Sequence, residues 1–170
     1  MTLRFVKALH LLGMAMFLGS ILGHITAGLL PGIHDDAATA LVARQTIDVA
    51  TTYLTLPGLA LLVLTGSVMT AKGRLPFPGT RWLTLHVLFA LLILLNAGLV
   101  LYPVGQELLA AASQVAAGAL PLDRLAPLEG REAAFGAANL LLSLMALFVA
   151  VIRPRLGGKT RPLREAAGGA

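Results

Sequence analysis

The sequence predicts an all-α fold, an integral membrane four-helix bundle with both termini in the cytoplasm. Three observations carry that prediction. Apolar residues make up 57% of the 170 residues and charged residues only 12%, with a mean hydropathy of +0.84. Charge this sparse belongs to membrane proteins rather than to soluble domains. The apolar residues also gather in four runs, near 3–30, 51–71, 82–102 and 133–152. At ~1.5 Å per helical residue each run can cross a ~30 Å hydrocarbon layer.

The third observation is the placement of charge. Arg4, Lys7, Lys72, Arg74, Arg81, Arg153, Arg155, Lys159, Arg161 and Arg164 fall on the side of the termini, which is ten of the thirteen basic residues. The opposite side keeps Arg44, Arg124 and Arg131 together with seven of the eight acids. The positive-inside rule then puts both termini in the cytoplasm, in a bacterial-type plasma membrane. The membrane domain covers 1–153. The basic, Gly- and Pro-containing tail 154–170 is expected to be disordered beside anionic head groups.

Composition also removes whole classes of function. The chain has no cysteine, which excludes disulfides, thiolate ligands and iron–sulfur clusters. Its pI near 10.5 suggests nucleic acid, but the cations flank apolar runs and form no basic surface interleaved with aromatics, so nucleic acid is excluded as a partner. No Gly-rich phosphate loop, HExxH or Ser-His-Asp arrangement occurs, and no acid lies within a span.

The first run begins after Arg4 and Lys7 like a signal peptide, but it is too long for one and lacks a clear cleavage site before Pro31. It carries His10 and His24, fourteen residues apart, which brings them within roughly 40° on one helix face. Gly19 and Gly23 form a G-x-x-x-G step, and Gly13, Gly58, Gly66, Gly98 and Gly136 add small surfaces suited to close helix packing. In the outer segment 31–48, His34, Asp35 and Asp36 read as a solvated cluster rather than a metal site, followed by a short amphipathic stretch.

A Pro/Gly-rich connection, KGRLPFPGTR, joins the second and third runs, and Trp82 anchors the third at the interface. The second outer segment, 103–132, holds the Ala-rich stretch 107–119, suited either to a surface helix or to a cap on the bundle. Asn96 and Asn139 lie at similar depths on the third and fourth runs and are placed to hydrogen-bond across the interface.

A histidine inside a membrane needs a partner, and such residues mark function by default. His86 stands about one turn inside the boundary of the third run and His10 about two turns inside the same boundary of the first. Two imidazoles at comparable depth on different helices suit the two faces of one b-type haem, with both as axial ligands to the iron. Lys7, one turn before His10, and Arg74 or Arg81, beside the third run, would serve the propionates. The plainer alternative is that each histidine hydrogen-bonds a neighbouring helix. His24 would need an outer-leaflet partner to hold a second haem, and Val100 stands at the corresponding position, so one haem is favoured over two; the alternatives for His24 are a bond to a tyrosine, help in binding a quinone, or passage of protons.

The first-run pattern Leu3-x-x-Val6-Lys7-Ala8-Leu9-His10-Leu11-Leu12-Gly13 resembles the opening of the HemJ-type protoporphyrinogen oxidase family and of related small membrane proteins, including the copper-resistance D-like group. Thr55-Leu56-Pro57-Gly58 with Thr65-Gly66, Trp82-Leu83 with His86, and the ending Ile152-Arg153-Pro154 are similar too. The resemblance implies a four-helix membrane fold and haem b associated with His10. It also brings the oxidation of protoporphyrinogen IX as the alternative activity. His86 stands where that family usually has a lysine, and Asn139 is followed by Leu140 rather than by glutamate.

The leading expectation is therefore a haem-b protein that exchanges electrons with quinone or a redox partner. A HemJ-like oxidoreductase is the second reading and a haem-free scaffold or small-molecule transporter the third. Further copies of the chain are a candidate partner beside the lipid bilayer.

Overall fold

Pro57 and Pro103 have no amide hydrogen, and a proline ring presses on the carbonyl four residues earlier. In the computed structural model, which describes residues 2–73, 77 and 79–154, each proline follows a π-helical turn that widens the winding by about one residue. These turns are Thr51–Thr55 and Ala97–Leu101. Neither site breaks the helix. α2 (Ala37–Ala50) runs through the first turn into α3 (Leu56–Lys72), and α4 (Arg81–Asn96) runs through the second into α5 (Tyr102–Ala116). With α1 (Leu3–Gly28) and α6 (Ala126–Ile152), which follows a 3₁₀ turn at Leu122–Leu125, they make four helices long and apolar enough to cross a membrane. No strand occurs among the described residues.

The two middle helices are each 36 residues long, Ala37–Lys72 and Arg81–Ala116. That is about 54 Å of helix, well beyond a hydrocarbon layer of ~30 Å. The segments 31–48 and 103–132, expected as outer loops, are thus largely helical. The choice left open for 107–119 falls to the cap: α5 packs on α2 at the end of the bundle opposite the termini. Ile33, Ala40, Ala43, Val104, Leu108, Ala112, Val115 and Leu125 form its core, with Ala43, Leu108 and Ala112 fully buried. Gln106 Nε2 donates to Asp48 Oδ1 at 2.8 Å and adds a polar tie between the two helices.

Within the apolar length, α1 lies along α3 and α4 along α6. The two pairs meet at mid-height through Phe17, Leu59, Ile93 and Ala146, one from each long helix. Outside this seam the spans present exposed Leu11, Leu22, Leu64, Leu91, Leu141, Phe148 and Val151, the surface a helix offers to lipid. Asn96 Nδ2 donates to Asn139 Oδ1 at 3.1 Å and to the Phe135 carbonyl at 3.0 Å, joining α4 to α6 as the matched depths predict.

The close-packing glycines are only partly the expected ones. Gly13 and Gly58 face each other across α1 and α3, so near that a Cβ on Gly13 would stand 2.9 Å from the Gly58 carbonyl oxygen. Gly19, Gly23, Gly98 and Gly136 have nothing within 4 Å of such a Cβ, so the G-x-x-x-G step at Gly19 and Gly23 packs no helix. Intrahelical spacing reports which residues share a face and says nothing about what that face meets.

Asp36 caps α2. Its carboxylate accepts from the Thr39 hydroxyl at 2.6 Å and the Thr39 amide at 2.8 Å, and these bonds hold its pKa below the usual carboxylate range. At the termini end α6 stops where Arg153 turns left-handed (φ 48°), and its guanidinium stacks 5.3 Å over the Trp82 ring. Arg74 and the tail from 155 onward lie outside the described residues, and with them the expectation of a disordered tail.

Candidate functional site

His10 and Phe17 are seven residues apart on α1, as are His86 and Ile93 on α4. Phe17 and Ile93 belong to one apolar cluster, and each histidine stands seven residues, about 10 Å of helix, nearer the termini end than the cluster member on its own helix. The two imidazoles are half-buried and close enough for a charge on one to act on the other.

Each ring is also held by its Nδ1. His10 Nδ1 lies 2.8 Å from Thr65 Oγ1 on α3. The Thr65 hydroxyl donates to the Leu61 carbonyl, so its oxygen is left to accept and His10 Nδ1 carries the hydrogen. His86 Nδ1 lies 3.0 Å from the Ala146 carbonyl on α6, which can only accept. Both rings are thereby set in the Nδ1–H form. A histidine ligand carries its metal on one nitrogen while the other donates to a carbonyl, hydroxyl or carboxylate.

Thr65 is 5% exposed, and a Cβ on its neighbour Gly66 would reach His10 Cε1 at 3.6 Å. Thr65→Val is expected to remove the acceptor and let His10 exchange to the other tautomer, at a stability cost of about 1 kcal/mol. The ¹⁵N chemical shifts of the His10 ring nitrogens report this directly.

Of the cations expected to accompany the pair, Lys7 is exposed one turn before His10, and Arg81 is exposed at the start of α4. Sequence reasoning missed Thr65. The Thr65-Gly66 dipeptide was noted, but only depth and facing together reveal a hydroxyl beneath an imidazole.

His24 is held differently. Its Nε2 lies 3.3 Å from both Ser20 Oγ and Thr51 Oγ1, and Ser20 in turn is hydrogen-bonded to Thr55 Oγ1. The first π turn brings Thr51 and Thr55 onto the same patch of α1. His34 faces Glu129 at 3.5 Å, and Asp36 is occupied by its capping role. No group of three or more His, Asp or Glu side chains clusters in a metal-binding arrangement among the described residues.

A second polar centre was also missed. Arg44, counted above only as a cation of the outer side, is buried between Glu129 Oε1, at 3.0 Å from Nη2, and Glu132 Oε2, which accepts from Nη1. Its one signal in the sequence is a lone arginine set against the pair Glu129-x-x-Glu132, which sits on one face of the start of α6.

Comparison with known proteins supplies a family and no relative of known activity. None of the curated proteins matches, and none of the solved structures does. One family model matches residues 4–154, all four long helices and both outer helical segments. By that match the chain belongs to the family described as "Predicted integral membrane protein (DUF2269)".

Proposed function

We propose that this protein binds one haem b between His10 and His86 and uses it for electron transfer with membrane quinone or a redox protein. The observation that carries the reading is the matched anchoring of the two rings: each is half-buried and held through Nδ1 by a neighbouring helix. The donor set suits the group, since two neutral imidazoles with donating Nδ1–H groups would hold its iron strongly. Bound there, haem would supply a one-electron couple, and a pair of histidine ligands would favour electron transfer over chemistry on oxygen.

The chain's own residues supply the rest. Thr65 and the Ala146 carbonyl fix the ring planes. Lys7, Arg81 and Arg74 are the cations assigned to the propionates, and the apolar seam of Phe17, Leu59, Ile93 and Ala146 closes the far side against water. The charge asymmetry of the sequence supports a site in the cytoplasmic half of a bacterial-type plasma membrane. His86 at the position where HemJ-type enzymes usually carry lysine is the reason for preferring electron transfer to protoporphyrinogen oxidation.

The optical spectrum of protein purified from haem-replete cells tests the proposal. A Soret band with the sharp reduced α-band of a six-coordinate low-spin haem is expected. His10→Ala and His86→Ala should each lose that spectrum or convert it to a high-spin form. Protein with no Soret band, or a His86→Ala variant with an unaltered spectrum, overturns the assignment.

A further inference from the structure

The contact of His86 with α6 is followed by a second one nearer the termini. Trp82 stands four residues before His86 on α4, hence on the same face and about 6 Å closer to the termini end. Arg153 stands seven residues after Ala146, whose carbonyl accepts from His86 Nδ1. The two side chains meet, with the guanidinium carbon 5.3 Å from the centre of the Trp82 ring. The His86–Ala146 hydrogen bond and the Trp82–Arg153 stack are therefore successive contacts along one α4–α6 seam.

Arg153 is an uncommon residue for its backbone. It closes α6 with φ 48° and ψ 59°, and its amide donates to the Val149 carbonyl at 3.0 Å. Glycine usually takes this left-handed position at a helix end, because a Cβ disfavours it. An arginine there keeps a cation that glycine would lack. Its side chain is exposed but pinned at two points: Nε donates to the Ala150 carbonyl at 3.4 Å, and the guanidinium face rests on the half-buried indole. Stacking uses the π face of a guanidinium and leaves its in-plane N–H groups for an anion, and that planar fork matches a carboxylate. Lys7, by contrast, is an exposed ammonium on a flexible stem.

We propose that Arg153, stacked on Trp82, binds one propionate carboxylate of a haem held by His10 and His86, and so makes the site prefer a porphyrin with free acid groups. The proposal rests on the haem reading above and adds the chemical group recognised at the mouth of the site. The carboxylates of haem need cations where its apolar ring meets water. A phospholipid phosphate offers similar charged oxygens. The haem acid is favoured because the fork stands on the seam that carries His86.

The test is a Soret-band titration of haem-free protein in phosphatidylcholine nanodiscs, with haem b and with its dimethyl ester, which has the same ring and iron but no carboxylate charge. Arg153→Gln is expected to weaken binding of haem b about tenfold and to leave that of the ester within about twofold. Trp82→Leu, which frees the arginine without removing it, is expected to act in the same direction with a smaller effect. An equal loss with both porphyrins overturns the proposal and leaves Arg153 a structural role at the end of α6. Unaltered affinity for both also overturns it. Anionic phospholipid retained by the purified unmodified protein but not by that variant would then identify a lipid phosphate as the group served. The two readings fail separately. No Soret band with either porphyrin in the unmodified protein removes the haem site and this proposal together. A normal spectrum, with the preference for acid over ester unchanged in Arg153→Gln, removes the proposal alone.

Discussion

Gly58→Val is expected to drive α1 and α3 apart, at a cost of about 3 kcal/mol. For a chain of this length the loss corresponds to a fall in the thermal midpoint on the order of 10 °C. A Cβ on Gly58 would stand 3.0 Å from the Gly13 carbonyl oxygen, 3.0 Å from Met16 Cβ and 3.0 Å from the Phe17 amide nitrogen. Two of those three neighbours are backbone, which cannot rotate away as a long side chain does. The disturbance should also reach the site. His10 precedes Gly13 by three residues and Thr65 follows Gly58 by seven, so the same approach of backbones sets the His10–Thr65 hydrogen bond at 2.8 Å.

The variant should therefore lose the Nδ1–H signature of His10 as well as stability, both measurable on protein in nanodiscs. An unchanged melting midpoint would show that the contact is not tight. Gly19→Ala is the matched control. With nothing within 4 Å of its Cβ, it should be neutral or slightly stabilising, because alanine is the better helix former.

That contrast marks how far the sequence could be read. Hydropathy and charge asymmetry locate the four spans because a bilayer imposes the same length and polarity rules on every crossing segment. Residues that are polar in an apolar run can be paired by depth alone. Asn96 and Asn139 meet as depth predicts. What depth cannot supply is azimuth, the side of each helix that meets a neighbour. Gly13 and Gly58 look no different in sequence from Gly19 and Gly23, yet one pair is a backbone contact and the other faces open space.

The outer helices were hidden for another reason. The second run was expected to begin at Thr51 and the third to end at Tyr102, but a π turn lets each helix continue past its proline, so α2 and α5 extend the spans instead of lying across them. The buried arginine was hidden by the same charge count that oriented the chain. Counting cations per side treats Arg44 as solvated, whereas it is buried against Glu129 and Glu132 of α6.

Arg44→Met should accordingly be among the most damaging single changes outside the spans, at about 3–5 kcal/mol. The cost arises less from the lost attraction than from what remains: Glu129 and Glu132, mostly buried, with no cation between them. Protonating either carboxylate relieves that repulsion. The thermal midpoint of the variant should rise as the pH falls from 7 to about 5, while that of the unmodified protein stays level or declines. Arg44 Nε is buried without a hydrogen-bond partner among the described residues, so the guanidinium is not fully satisfied even in the intact cluster. An apolar side chain of similar length should then be tolerated once the acids are neutral, and the triple variant Arg44→Met, Glu129→Gln, Glu132→Gln should recover most of the lost stability. If the triple variant melts as low as the single one, the arginine acts through packing of the cap and not through charge.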